Sequence, residues 1–323
     1  MTSVDEILQI LQDGKFHSGE EIANSLKVSR STIWKLINKI RDDYHLEVFS
    51  VSGRGYKLPR ALPLLSINSI NQMLPDASRM QMKIELFAQL DSTNQYLLNT
   101  TSIEGQLKVC IAEMQTAGRG RRGRHWVSPF GHNLYLSVCS LINQPMSRIA
   151  GLSLAAGIAV ARTMRFFGVA EVALKWPNDV HVNGHKIAGL LLEVRGETEG
   201  PVKVVMGFGI NFYLPRATRQ TIEQPVTDMQ EVCQDQCPER NTFVARLLVE
   251  LQQLIDEFLQ QGISRIIEHW YAFDLYRDKA VTIIAGDKQI QGIYRGLNAA
   301  GEILLENENG TKSYNAGEVS LRG

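Results

Sequence analysis

Between positions 118 and 124 the chain reads Gly118-Arg119-Gly120-Arg121-Arg122-Gly123-Arg124, entered through Gln115-Thr116-Ala117 and left through His125-Trp126. The guanidiniums repel one another, and the glycines add backbone entropy that folding must remove, so an ordinary solvent loop has no use for them. An anionic ligand resolves the conflict: glycine backbone approaches a phosphate or carboxylate closely, and each guanidinium offers a planar fork of donors. The segment therefore reads as a flexible clamp. Its spacing matches neither the Gly-x-x-x-x-Gly-Lys-Ser/Thr nucleotide loop nor a dinucleotide fingerprint opening a helix. The competing reading is a basic surface loop that touches nucleic acid without specificity.

The 323 residues, with 34 basic and 34 acidic side chains, suffice for two or three domains with real cores. The apolar stretches Ile149 to Val160 and Ile187 to Val194 are too short to span a bilayer, and no export signal opens the chain. Cys110, Cys139, Cys233 and Cys237 are too scattered for a disulfide framework, which fits a reducing cytoplasm, and their spacing favours unliganded thiols over a metal site. No membrane contact is expected. Charge is segregated locally: Lys27, Arg30, Lys35, Lys39 and Arg41 follow Ile22 without one carboxylate.

Residues 1–65 predict a winged helix-turn-helix. Val4, Ile7, Leu8 and Leu11 recur at helical spacing up to Gly14, and Ser18 with Glu21 forms a capping box for a second helix carrying Ile22 and Leu26. Ser29 caps a third, whose inner side holds Ile33, Ile37 and Ile40 while Arg30, Ser31, Thr32, Trp34, Lys35 and Asn38 lie largely outside. Two short helices joined by a tight turn, the second opening on small polar and basic residues, suit a major groove. Leu46 to Val51 alternates like a strand and returns through Gly53-Arg54-Gly55-Tyr56, a basic-tipped wing. Ser29, Arg30, Ser31, Thr32, Lys35, Asn38 and Arg54 are the candidate DNA contacts. Trp34 either touches DNA or packs beneath the wing, and the sequence leans to packing. A small protein-interaction domain with a solvated basic face is the alternative. Pro59, Pro63 and the polar stretch beyond mark a linker.

Residues 66–272 mix strand-like and helical runs, a central α+β domain, with a buried helix from Ile149 to Phe167 and an amphipathic one through Leu247, Leu251, Leu254 and Phe258. Residues 273–323 turn to short strands separated by Gly286-Asp287, Gly301 and Asn309-Gly310, the pattern of a small SH3-like β-barrel. The whole is an α+β multidomain chain.

Three clusters accompany the arginine loop. Asp91-Ser92-Thr93-Asn94 offers small polar groups at a helix start, suited to a neutral polar ligand. Lys175-Trp176-Pro177-Asn178-Asp179 joins a cation and a carboxamide to an aromatic and a rigid proline. Lys186 stands at the mouth of the apolar run Ile187 to Leu191, where the plain alternative is an exposed strand-end lysine. With Gly207-Phe208-Gly209-Ile210-Asn211, these clusters occur in the order found in bifunctional bacterial biotin protein ligases, which also repress the biotin operon. The chain resembles that family over almost its whole length.

The resemblance implies an enzyme that joins biotin to ATP, with Mg2+, as biotinyl-5′-AMP, and then passes biotin to a lysine of the biotin carboxyl carrier protein of acetyl-CoA carboxylase. It implies biotin contacts at Ser92, Thr93, Asn94, Gln115, Arg119, Gly120, Arg121 and Lys186, with Lys186 and Arg121 supporting the chemistry. Trp126, Lys175, Asn178 and Asn211 are expected near the nucleotide and Asp179 near the metal. Attack of a carboxylate on a phosphorus brings two anions together, so alignment and charge neutralisation are the main tasks and no protein nucleophile is needed. His132 is expected beside the site without a catalytic role. The resemblance also implies an adenylate-ordering loop over 212–226, where the tryptophan that stacks on adenine in the best-known relative has no counterpart. The adenylate is expected as co-repressor, the adenylate-bound chain as a homodimer on operator DNA. Two other functions compete: a biotin-sensing repressor without ligase turnover, and a lipoate ligase.

Overall fold

The computed structural model of the chain describes residues 4–146, 149, 151–196, 201–285, 288–315 and 320–322. Its first unit holds α1 (Val4–Leu11), α2 (Gly19–Leu26), α3 (Arg30–Tyr44) and the hairpin β1 (Phe49–Val51) and β2 (Gly55–Lys57). Both expected caps form: Ser18 Oγ accepts from Glu21 N at 3.0 Å while Glu21 Oε2 accepts from Ser18 N at 3.1 Å, and Ser29 Oγ accepts from Thr32 N at 3.1 Å. Lys27, left-handed at φ 55°, makes the tight turn between α2 and α3. Ile7, Leu8, Leu11, Ile22, Ile33, Ile37 and Ile40 close a small core. Trp34 does not pack beneath the wing: it is 57% exposed, because its place on α3 lies beside the isoleucine stripe rather than within it.

The core of this unit continues into the next through Leu62, Phe130, Ala88 and Met114. The connecting segment is tied down at both ends. Leu62 N donates to Gln12 O at 2.7 Å, and Gly14 (φ 70°) lies so close that a Cβ there would meet Ala61 N at 2.5 Å. Arg240 donates to Pro63 O at 2.7 Å and to Glu113 Oε2 at 2.6 Å, and Leu65 N donates to Glu113 Oε1 at 2.6 Å.

The central unit is a mixed sheet of β3 (Met82–Phe87), β4 (Leu107–Ala112), β5 (Leu134–Ile142), β6 (Val172–Lys175), β7 (Asp179–Val182), β8 (His185–Gly196) and β9 (Val202–Ile210), in the order β3-β4-β5-β9-β8-β7-β6. Only β3 and β4 run parallel among the described pairs. Around it lie α4 (Ile67–Met73), α5 (Asp76–Gln81), α6 (Thr93–Asn99), α7 (Leu152–Phe166), α8 (Arg216–Gln220), α9 (Met229–Cys233), α10 (Arg240–Gln261) and α11 (Ile263–Tyr271).

Successive strand residues point to opposite faces, and here the two faces differ in kind. Leu134, Leu136 and Val138 of β5, Ala188 and Leu190 of β8, and Val204, Met206 and Phe208 of β9 join the main core with α7 and α10. The alternate positions form the other face. At one end Cys110, Cys139 and Val205 pack on Leu97 of α6. Further along, Ser137, Gly189, Gly207 and Gly209 leave that face nearly bare, and a cleft opens there.

The last unit is an antiparallel sheet of β10 (Ala280–Ala285), β11 (Lys288–Leu297), β12 (Ile303–Asn307), β13 (Gly310–Tyr314) and β14 (Ser320–Arg322), ordered β13-β12-β11-β10-β14. It has the strand content expected of the small barrel; among the described residues β13 and β14 remain its edges. Trp176 Nε1 donates to Gly301 O at 3.1 Å and so fastens this unit to the β6–β7 turn. No helix of the described residues is long and apolar enough to cross a membrane.

Candidate active site and DNA-binding face

The inner end of the cleft is a closed network of amides and hydroxyls that meets one carboxylate, Glu193. Ser92 is the N-cap of α6, which aims Thr93 and Asn94 at the bare sheet face. Gln115 Oε1 accepts from Thr93 N at 2.9 Å and from Thr93 Oγ1 at 3.1 Å, and Gln115 Nε2 donates to Ser128 Oγ at 3.2 Å. Ser137 Oγ lies 2.6 Å from Asn94 Oδ1 and 2.7 Å from Thr93 Oγ1. Asn94 Nδ2 donates to Glu193 Oε2 at 2.8 Å and to Leu191 O at 3.1 Å. Gly207 is required beneath this network, since a Cβ there would sit 2.2 Å from Asn94 Oδ1.

The arginine loop folds back on itself. Trp126 N donates to Gly118 O at 2.9 Å and Gly120 N to Arg124 O at 2.7 Å, around a short turn over Arg121–Gly123 in which Arg122 is left-handed at φ 57°. Two of its guanidiniums are anchored across the cleft. Arg119 reaches Glu193 Oε2 at 2.9 Å, and Arg121 donates to Asn178 Oδ1 at 3.2 Å. Burial, with Arg122 beside it, lowers the pKa of Arg121 against the opposing pull of Asp179; a guanidinium nonetheless stays charged.

Lys186 is 9% exposed, its Nζ 2.7 Å from Asp179 Oδ1 and 5.4 Å from the centre of the Trp126 ring. The indole lies on the sheet where Gly209 and Gly189 admit it, with distances of 2.3 and 2.8 Å from would-be Cβ atoms. Asn178 ties the β6–β7 turn to β8, donating through Nδ2 to Leu190 O at 2.7 Å. Six cations line the cleft, Arg119, Arg121, Arg122, Arg124, Lys175 and Lys186, against one carboxylate, Asp179.

Ser92, Thr93, Asn94, Gln115, Arg119, Gly120, Arg121, Trp126, Lys175, Asn178, Asp179 and Lys186 are thus brought together as the sequence predicts. Asn211 is not at the lining: it is 3% exposed and its Nδ2 donates to Thr227 O at 3.1 Å, bracing the segment that follows β9. That segment returns to the site, with Lys186 N donating to Pro225 O at 3.0 Å and Gln224 at the lining. His132 is not at the lining: its Nδ1 lies 3.2 Å from an Arg60 nitrogen, and that guanidinium lies 3.3 Å from the centre of the Tyr213 ring. Glu193, Ser137 and Ser128 join the site without belonging to any of the sequence motifs. Period-two alternation from Gly189 would have placed Glu193 on the cleft side of β8.

On the first unit Arg30, Ser31 and Lys35 of α3 are exposed, whereas the hydroxyls of Ser29 and Thr32 bond each other at 2.8 Å and Asn38 accepts from Arg41 at 2.9 Å. Arg54 caps the wing with its guanidinium 4.2 Å above the Phe16 ring.

Comparison with known proteins agrees with each unit. Residues 86–211 match the Biotin/lipoate A/B protein ligase family, residues 4–57 an HTH domain and residues 278–322 the Biotin protein ligase C terminal domain. The bifunctional ligase/repressor BirA of Salmonella typhimurium is 39% identical over 316 residues, 98% of this chain and 96% of that protein, and BirA of Escherichia coli is 39% identical over 320. Among solved structures, the biotin protein ligase from Aquifex aeolicus in complex with biotin and ATP superposes with a TM-score of 0.63 at 27% identity, covering 74% of this chain and 98% of that one. Fold and cleft define a ligase of the biotin/lipoate class joined to a DNA-binding unit. The chain belongs to the family of bifunctional biotin ligase/repressors.

Proposed function

We propose that this biotin ligase and repressor uses the two ends of its cleft for the two ends of one intermediate. The observation that carries the reading is the change of character along the cleft, from an end of amides and hydroxyls on a glycine floor, its carboxylate Glu193 paired with Arg119, to a lip of six cations. The ring system of biotin fits the first, with Ser92, Thr93, Asn94 and Gln115 meeting its polar edge. The carboxylate and the phosphates fit the second.

In the first half-reaction a carboxylate oxygen of biotin bonds to the α-phosphorus of ATP while the bond to pyrophosphate breaks. Lys186, held by Asp179, sits where both anions converge, and Arg119, Gly120 and Arg121 close above them; pre-placed cations stabilise the charge that accumulates at phosphorus. Trp126, Lys175 and Asn178 face the nucleotide, and Asn211 acts indirectly by holding the 212–227 segment. No three metal-ligand side chains gather among the described residues. Mg2+ fits as an ion carried by the triphosphate, with Asp179 the nearby carboxylate. In the second half-reaction a lysine amine of the acceptor attacks the acyl carbon and AMP leaves.

The acceptor is the biotin carboxyl carrier protein of acetyl-CoA carboxylase. Biotinyl-5′-AMP is also the co-repressor: it locks the arginine loop in this closed arrangement, the locked loop completes a homodimer surface, and the paired winged helices take two operator half-sites. Ligand affinity and dimerisation are then linked, each strengthening the other. Incubation with biotin, ATP, Mg2+ and an isolated carrier domain, read by the mass of the carrier, is expected to show one biotinyl addition. An unmodified carrier and no biotin-dependent pyrophosphate would leave a sensor without turnover, and preferential use of lipoate would reassign the substrate. Sedimentation with and without the adenylate is expected to show dimer only with it.

A further inference from the structure

α3 carries a large apolar side chain that the fold does not use. Trp34 is 57% exposed, five residues into the helix, while Ile33 and Ile37 on either side of it are fully buried. It begins a stripe at helical spacing: Asn38 is one turn on, and two turns on is Arg41, which donates to Asn38 Oδ1 at 2.9 Å and to Val48 O at 2.6 Å. The stripe thus runs toward the wing. The adjoining strand also leaves Phe49 and Val51 exposed, at 39% and 42%.

The surroundings select what covers this exposed indole. Lys27, Arg30, Lys35, Lys39 and Arg41 follow one another without a carboxylate, and Arg54 and Lys57 lie on the wing. A polyanion matches that charge, and the lysines and arginines supply backbone contacts that carry no sequence information. The first residues of such a helix reach base edges. In the major groove the base edges are polar except at the pyrimidine C5 position, where thymine projects a methyl group. An indole has a broad apolar face and a single donor, so it suits that methyl and reads none of the paired donor–acceptor patterns.

We propose that Trp34 is a base-reading residue whose ring packs on a thymine C5-methyl in the major groove, so that operator choice depends on a thymine at a fixed position. The proposal rests on the DNA-binding reading of the first unit and names what that unit recognises.

The test uses the full chain with biotin, ATP and Mg2+. A duplex is selected from randomised DNA, and each of its thymines is replaced in turn by deoxyuridine, which removes only the methyl. At one position, or two adjacent ones, the substitution weakens wild-type binding roughly tenfold, the scale of a single lost base contact. The Trp34→Ala chain binds thymine and uracil duplexes alike at that lower affinity, and Trp34→Phe keeps part of the discrimination. The dependence of affinity on salt stays that of wild type in both variants, which an unfolded domain would not preserve. A wild-type chain indifferent to every methyl, or a Trp34→Ala chain that still discriminates, overturns the proposal. So does loss of self-association in Trp34→Ala with discrimination intact, which would give the indole to a protein contact. If wild type enriches no duplex over the random pool, the repressor assignment itself fails and this contact with it.

Discussion

The cleft and the recognition helix are both rich in Arg and Lys, yet they hold these side chains in opposite ways. In the cleft Arg119 is fixed by Glu193, Arg121 by Asn178 and Lys186 by Asp179, at 2.9, 3.2 and 2.7 Å. On α3, Arg30 and Lys35 stand in solvent and Lys39 approaches Asp43 only to 3.9 Å, Arg41 alone being tied down, by Asn38 and Val48. A catalytic anion site gains from charges already in place, because nothing then has to reorganise as the reaction proceeds. A DNA-facing helix gains from mobile cations that follow a phosphate track. The partners of a cation, more than its identity, separate the two tasks.

The sharpest way to break this comparison is Lys186→Ala, for which biotin-dependent pyrophosphate release is expected to fall by about 10^2 to 10^3. DNA binding by chain preloaded with biotinyl-5′-AMP is expected to hold, and a matching loss of both would point to misfolding. Arg121→Gly removes a guanidinium fork from the lip. Bound adenylate should then leave about ten- to a hundredfold faster in a chase experiment, and an unchanged half-life would exclude Arg121 from the clamp.

Between the two regions, burial together with Arg60 and Arg240 pushes the His132 imidazole down from 6.5 to about 4. Over that interval the unfolded chain binds a proton that the folded chain refuses, so stability falls as pH drops from about 6.5 to 4 and this contribution is then exhausted. The change is on the order of 3 kcal/mol, and urea titrations of His132→Asn should show a flatter profile. Glu193→Gln weakens the hold on Arg119 and Asn94 and is expected to raise KM for biotin about tenfold with a smaller change in kcat. The smallest effect belongs to Lys35→Ala, a few-fold loss of DNA affinity whatever the sequence, with the log–log salt slope shallower by about one.

Local chemistry made much of this legible before any coordinates. Ser18, Ser29 and Ser92 announce helix starts by side chain alone, and the 118–124 run, the 175–179 pentad and Lys186 meet in one cleft because each sits at a strand end or turn. What the chain hides is set by register and by distant partners. Glu193 answers Arg119 and Asn94 only once β8 lies beside β9. Asn211, apolar-strand neighbour of the site in sequence, turns its carboxamide to Thr227 instead. Trp34 reads as core by composition and as surface by its angle on α3, and only packing decides. The last strands are recognisable singly, while their order depends on pairings that no single strand encodes.

Arg240 grips both Glu113 and the backbone at Pro63, and Phe130 fills the core of the winged unit from outside it. A module so small has little apolar interior of its own. Heating should therefore disassemble reader and enzyme in one endotherm, and the pitch of the reading head is set by the enzyme that carries it.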